Sequence, residues 1–164
     1  GFVVMIPRKG AYVAGISMKD VVDVFEIRAA LEALAAGLAA ERITEDELEE
    51  MERNLVRKAE CIENNDLEGL VETDTGFHEL IYKSSRNERL MMIINNLREQ
   101  IQRFRTVSLA SPGRMRESLE EHKKLAEAIS DRNISLAQAL AQEHIENAET
   151  SLLDNLRRNG LILK

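Results

Sequence analysis

From Met18 to Arg158 the apolar residues return every three or four positions, and the breaks between these stripes are only a few residues long. A period near 3.6 belongs to α-helices lying on a core, and such short breaks make successive helices antiparallel neighbours. Together the two features restrict the chain to a helical bundle. Six helices are expected. The first runs over about Met18–Arg42 and contains "VVDVFEIRAALEALAAGLAA". Thr44, with Glu47 three residues on, forms a capping-box pattern for a second helix that ends near Asn64. Asp66 opens a third, to about Ser85. Asn87 opens a fourth through Leu90, Ile94, Leu97, Ile101 and Phe104. "SLASPGR" breaks the chain and puts Pro112 in the first turn of a fifth helix, to about Arg132. "DRNIS" turns into a sixth, about Ile134–Arg158. The expected fold is all-α, an antiparallel six-helix bundle over residues 17–164, with seven as the alternative count.

Residues 1–16 follow a different rule. Phe2–Ile6 and Ala11–Ala14 are short β-favouring runs around Pro7-Arg8-Lys9-Gly10, a hairpin signal. An isolated two-stranded hairpin is marginal in water. The chain also opens without Met, so these residues are expected to be the remnant of a preceding, truncated domain.

Charge and composition exclude several classes. Among 164 residues 44% are apolar and 31% charged, as in an ordinary globular domain. The single cysteine, Cys61, permits no disulfide framework and fits a cytoplasmic setting. No apolar run approaches the roughly 18 residues of a membrane span, so no membrane partner is expected. The net charge is −7, yet residues 1–19 hold three bases and no acid, leaving −10 on the remainder. An acidic body of this kind does not grip phosphates.

Four ionisable residues occupy inward positions. Asp74 and His78 fall on the stripe Leu67, Leu70, Val71, Asp74, Phe77, His78, Ile81. His122 falls on Met115, Leu119, His122, Ala126, Ile129, and His144 on Ala137, Leu140, Ala141, His144, Ala148, Leu152. If the last two helices turn near Asn133, His122 lies 11 residues before the turn and His144 11 after it. At about 1.5 Å per residue both stand roughly 16 Å from the turn, at one height. Asp74 and His78, four apart, are neighbours on one helix surface. One carboxylate and three imidazoles suit a borderline divalent ion, Zn²⁺ first, with Ni²⁺ or Mn²⁺ as alternatives. The competing account is three core histidines hydrogen-bonded to nearby carboxylates and carbonyls. Arg28 shares the stripe Val21, Val24, Arg28, Leu31, Ala35, Leu38 and, if buried, needs an anion: a ligand carboxylate or an internal Glu. Arg105, at the edge of its apolar face, and Asn147, one turn beyond His144, are further candidates for ligand contact.

With these positions assigned, the chain resembles the C-terminal effector-binding (FCD) domain of GntR-type transcription regulators, in the FadR-like branch. The resemblance spans nearly all of the chain and rests on "EIRAALEALAAGLAA" (Glu26–Ala40), "DTGFHELIYKSSRN" (Asp74–Asn87), "EHKKLAEAISDRN" (Glu121–Asn133) and "ALAQEHIENAE" (Ala139–Glu149). Its metal pattern, Asp-x-x-x-His followed by two later histidines, falls on Asp74, His78, His122 and His144. Six helices would match the shorter, VanR-like form. The resemblance implies a homodimer and a winged helix-turn-helix ahead of the bundle. "GFVVMIPRKGAYVAG" would be the end of its wing, with Arg8, Lys9 and Gly10 at the tip that approaches DNA. The recognition helix is not in the sequence, so DNA would be bound through the missing N-terminal domain of the full-length protein.

The functional expectation is a metal-containing sensor whose small carboxylic acid effector meets the ion at one end and Arg28 at the other. A metal-dependent hydrolase with Glu79 as base is the rival, weakened because Glu79 points about 100° from His78 around the helix. A metal-free dimerisation module is the third reading. Gly76, inside the motif helix, is expected to leave room for a ligand.

Overall fold

The computed structural model describes the backbone of residues 3–6, 10–13, 16–159 and 162–163, and side chains between 17 and 159. Among the described residues seven helices make up the body: α1 (Met18–Arg42), α2 (Glu45–Glu63), α3 (Leu67–Ser84), α4 (Glu88–Asn96), α5 (Arg98–Leu109), α6 (Arg114–Ser130) and α7 (Ile134–Arg158). The fold is an all-α bundle. At its start β1 (Val3–Ile6) pairs antiparallel with β2 (Gly10–Val13). A second short pair, parallel, joins β3 (Ile16–Ser17) to β4 (Ile162–Leu163). Arg8 and Lys9 lie outside the described residues, and of Gly10 only the backbone, the first residue of β2, is described.

Side-chain caps set most boundaries. Ser17, Thr44, Asp66, Asn87 and Asn133 each accept a hydrogen bond from a backbone N–H of the first helical turn, and Thr44 with Glu47 completes the capping box. Two expectations need correction. The fourth expected helix is two, divided at Leu97, whose N–H reaches back three residues to Ile94 in a tightened turn. Asn95 and Asn96 weaken the helix there, and its halves have different neighbours: α4 lies on α1 and α3, α5 mainly on α7. The count is therefore seven. Pro112 is not in a first helical turn either; it precedes α6, and Gly113 leads into that helix at φ 84°, a left-handed conformation that glycine adopts without strain.

The longest packing seam runs between α1 and α7. Gly37 permits part of it: a Cβ there would stand 2.7–2.9 Å from the Gln138 side chain. Two apolar clusters form along the seam. One gathers Ala35, Ala36, Ala39 and Ala40 with Phe77, Ile81, Leu125 and Ile129. The other gathers Val21, Val24, Phe25, Phe104, Ile145, Leu152 and Leu156. Between them, at Arg28 and Glu32 on α1 and His144 on α7, the interior turns polar.

Candidate metal and ligand centre

His78 of α3, His122 of α6 and His144 of α7 are all buried. Their Nε2 atoms converge: His122 to His144 is 3.3 Å and His144 to His78 is 3.3 Å. Ligand atoms of all three lie within 4.8 Å of one another. An ion bound at about 2.0–2.1 Å to tetrahedrally placed nitrogens needs N···N separations of about 3.3–3.4 Å. These two separations meet that requirement, so the donor set fits a divalent ion.

The opposite ring nitrogens fix the proton positions. His78 Nδ1 lies 2.9 Å from Glu32 Oε2, and His144 Nδ1 lies 2.6 Å from Glu121 Oε2. Burial alone would raise both acids, but the charges and hydrogen bonds facing them win. His78, Arg28 and Tyr82 hold Glu32 well below the usual carboxylate range, and His144 and Arg114 bring Glu121 down to about 2. Burial in turn lowers both imidazoles, Glu32 and Glu121 opposing it; His144 falls to about 4. Each ring is thus neutral near pH 7, donating Nδ1–H to a carboxylate and carrying a bare lone pair on Nε2. Two lone pairs then face each other across 3.3 Å. A cation between them removes that conflict.

Asp74 stands beside this point, Oδ1 3.6 Å from His122 Nε2 and Oδ2 3.7 Å from His78 Nε2. It is also the partner of two buried bases. Lys58 Nζ donates to Oδ1 at 2.7 Å and to Ser118 Oγ at 2.7 Å, and lies 3.0 Å from His122 Nδ1. Arg105 Nε is 2.7 Å from Oδ2, but its N–H is not aimed at the oxygen and makes no hydrogen bond. Burial would raise the Asp74 carboxyl; Lys58, His122 and Arg105 hold it well below its usual range.

Arg28 is buried, and its Nε donates to Glu32 Oε1 at 3.0 Å, the internal-Glu partner. Arg105 is 6% exposed, not at an edge, and also donates to Thr75 and Gln102. Asn147 is half-buried and does not reach the imidazoles; its amide donates to Glu121 Oε1 at 2.9 Å. Arg114 grips Glu121 with two bonds, 2.7 and 2.6 Å. Four bases (Arg28, Lys58, Arg105, Arg114) therefore surround three acids (Glu32, Asp74, Glu121), and with neutral imidazoles the interior is one positive charge in excess. Two cavities flank it. One of about 10 Å³ touches Arg28, Asp74, Arg105 and His144; another of about 40 Å³ touches His78, Tyr82 and Arg105. Water needs roughly 10–15 Å³, so these two cavities have space for a few waters. Arg105 borders both.

Gly76 does not serve the centre. A Cβ there would come 3.0 Å from Asn54 Nδ2 of α2, and the residue lines a surface groove with Arg57 and Arg98. Glu79 is exposed and paired with Arg98 at 2.6 Å, so no general base stands at the imidazoles from that position.

Sequence reasoning missed Glu32, Lys58, Tyr82, Arg114, Ser118 and Glu121. The signals were present. Lys58 continues the stripe Met51, Leu55, Lys58, Ile62; Glu32 is four residues beyond Arg28; Arg114, Ser118 and His122 repeat every four on α6.

Residues 23–147 match the family described as the FCD domain. The HTH-type transcriptional repressor RspR of Escherichia coli is 28% identical over 162 residues, covering 98% of this chain and 70% of that protein. The HTH-type transcriptional regulator LutR of Bacillus subtilis is 30% identical over 146 residues, covering 86% of this chain and 66% of that one. In structure, McbR/YncC of E. coli superposes with a TM-score of 0.83 at 20% identity, over 94% of this chain and 78% of that one. The metal-free FCD domain of TM0439 superposes at 0.72 and 21% identity, over 88% and 99%. Fold, buried centre and relatives define a ligand-sensing domain of GntR-type transcription regulators rather than an enzyme. The chain belongs to the FCD-domain family.

Proposed function

We propose that this domain holds a divalent metal ion, Zn²⁺ first, with His78, His122 and His144 as ligands and Asp74 as the fourth, and that it senses a small carboxylic acid. The observation that carries the reading is the pair of bare Nε2 atoms 3.3 Å apart, each fixed from behind by a carboxylate. Such backing raises ligand basicity and fixes ring orientation, as second-sphere carboxylates do at zinc sites. A bound ion would supply open positions on which an effector carboxylate displaces water. The residues do the rest. Excess buried positive charge favours an anion, and Arg105, with an unaligned N–H and a face on both cavities, is better placed than Arg28 to take its far end. Arg28 instead holds Glu32, which holds His78.

Because the cavities are small, an acid of several carbons enters only as helices around Arg105 separate. An effector shifts an equilibrium only through a difference in its affinity for two arrangements, and a site that must open supplies one. The domain would act as a homodimer in the cytoplasm on a DNA-binding portion of the full-length protein, whose wing tip would be Arg8, Lys9 and Gly10. The exposed apolar residues Ile27 and Leu34 of α1 and Met92 and Ile93 of α4 support a second copy as partner. A native mass spectrum of purified protein, followed by thermal-shift titration of small carboxylic acids with and without Zn²⁺, tests the reading. Metal uptake and acid binding lost in Arg105→Met support it; no metal after Zn²⁺ addition overturns it.

A further inference from the structure

Two bases of the centre stand at an imidazole ring nitrogen: Arg114 Nη2 is 3.4 Å from His144 Nδ1, where Glu121 lies closer to both at 2.6 Å, and Lys58 approaches His122 with no carboxylate between them. Lys58 Nζ lies 3.0 Å from His122 Nδ1, while Asp74 Oδ1 and Ser118 Oγ take it at 2.7 Å each. Lys58 is fully buried. Burial lowers the Lys58 amine and the Asp74 charge opposes that shift; the three partners within 3.0 Å match an ammonium, which has three donors and no lone pair. His122 Nδ1 facing it must therefore be the acceptor, and the ring proton of a neutral His122 must sit on Nε2. That proton has an acceptor: His144 Nε2 stands 3.3 Å away.

His122 is thus held the opposite way round from its two neighbours. Carboxylates behind His78 and His144 leave their Nε2 atoms bare; the ammonium behind His122 puts a proton where the lone pair is needed. We propose that Lys58 is a specificity-determining residue of the centre, a donor-only side chain that holds His122 in the tautomer that cannot ligate, so that a cation gains its third nitrogen only when Lys58 withdraws. Lys58 acts on Asp74 in the same direction. It takes the Oδ1 atom that would otherwise turn to a metal. The inference rests on the metal reading above, but half of it is observable with no metal present.

The experiment uses wild type, Lys58→Gln, Lys58→Met and Lys58→Arg. Glutamine can accept Nδ1–H through its carbonyl and still donate to Asp74; methionine fills the space without a donor; arginine remains donor-only. In chelator-treated wild type, two-bond ¹H–¹⁵N correlation spectra should show His122 with its proton on Nε2 and His78 and His144 with theirs on Nδ1. In Lys58→Gln His122 should change to the Nδ1–H form. Zn²⁺ affinity, measured by competition with a chromophoric chelator, should tighten about 10–100-fold in Lys58→Gln and Lys58→Met, the range of other second-sphere changes at zinc sites, and stay near wild type in Lys58→Arg. A structural role for Lys58 predicts instead that all three variants lose stability without reversing the tautomer. His122 found with Nδ1–H in metal-free wild type, or no gain in Zn²⁺ affinity in the glutamine variant, overturns the proposal while leaving a metal centre intact. Absence of Zn²⁺ uptake in every variant overturns both.

Discussion

His122 Nε2 lies 3.3 Å from His144 Nε2, across a hairpin whose arms each carry their histidine 11 residues from Asn133. Equal path lengths from one turn bring two side chains to one level on antiparallel helices of equal rise. His78 reaches the same point from a third helix, so the geometry depends on the packing of α3 against the hairpin as much as on the hairpin itself. Each arm of the centre has its own consequence for measurement.

Metal uptake should raise stability measurably. A ligand that binds only the folded chain adds about 2.7 kcal/mol at one hundred times its Kd, which in a chain of this size corresponds to roughly 5–10 °C in Tm. Calorimetry of chelator-treated protein with and without Zn²⁺ checks this. In His144→Ala the shift should vanish while the fold persists, because Glu121 keeps both of its bonds to Arg114. An undiminished shift in that variant would place the ion elsewhere.

Acid should destabilise the metal-free domain earlier than its carboxylates alone would. The folded-state pKa of His144, about 4, lies below its ordinary 6.5. Protonation between these values favours the unfolded chain, so stability is full above about pH 6.5 and falls as pH drops toward 4. At about 1.4 kcal/mol per pH unit the loss is roughly 3 kcal/mol for this residue. Glu121, lowered from 4.5 to about 2, adds its own loss only below about pH 4.5. Urea unfolding in chelator at pH 7.5, 6 and 5 should show the decline, and His144→Ala should flatten it.

Glu32 should matter far more than an exposed acid of the bundle. It accepts from Arg28 at 3.0 Å, His78 at 2.9 Å and Tyr82 at 2.5 Å. Glu32→Ala leaves a buried guanidinium without its acid, a loss of about 3–5 kcal/mol. It also releases the His78 ring, at a loss of about 10–100-fold in metal affinity. Exposed Glu79→Ala, which costs only the Arg98 pair, is the control and should stay within about 1 kcal/mol.

The bundle was largely legible because stripes and caps act locally: Thr44, Asp66, Asn87 and Asn133 begin their helices where the sequence says they should. What escaped was set by tertiary contact. Leu97 ends a helix because the two halves rest on different partners; Asn95 and Asn96 weaken the helix there but do not by themselves require a break. The convergence of the imidazoles could be inferred since each breaks an apolar stripe. Lys58 and Glu32 break stripes too, but a long or acidic side chain on a stripe is ordinarily read as reaching for solvent. Arg28 illustrates the limit: the stripe required an anion beside it, and only the fold identifies that anion as Glu32.

Assembly gives the last prediction. Ile27 and Leu34, seven residues apart and so on one face of α1, are 49% and 43% exposed, and Met92 and Ile93 of α4 are 57% and 49% exposed. In a monomer, charging one such position changes stability by no more than about 0.5 kcal/mol, since nothing is buried there. In a homodimer that buries this face, a carboxylate at position 34 is stripped of water without a partner, and the association is lost. Leu34→Glu and Met92→Glu should therefore sediment as monomers at concentrations where wild type is a dimer, with helical content unchanged by circular dichroism. Val56, equally apolar and 60% exposed on α2, supplies the comparison. If Val56→Glu dissociates the dimer and Leu34→Glu does not, the second copy sits on a different face, and any signal passing from Arg28 and Glu32 through α1 to the partner would need another route.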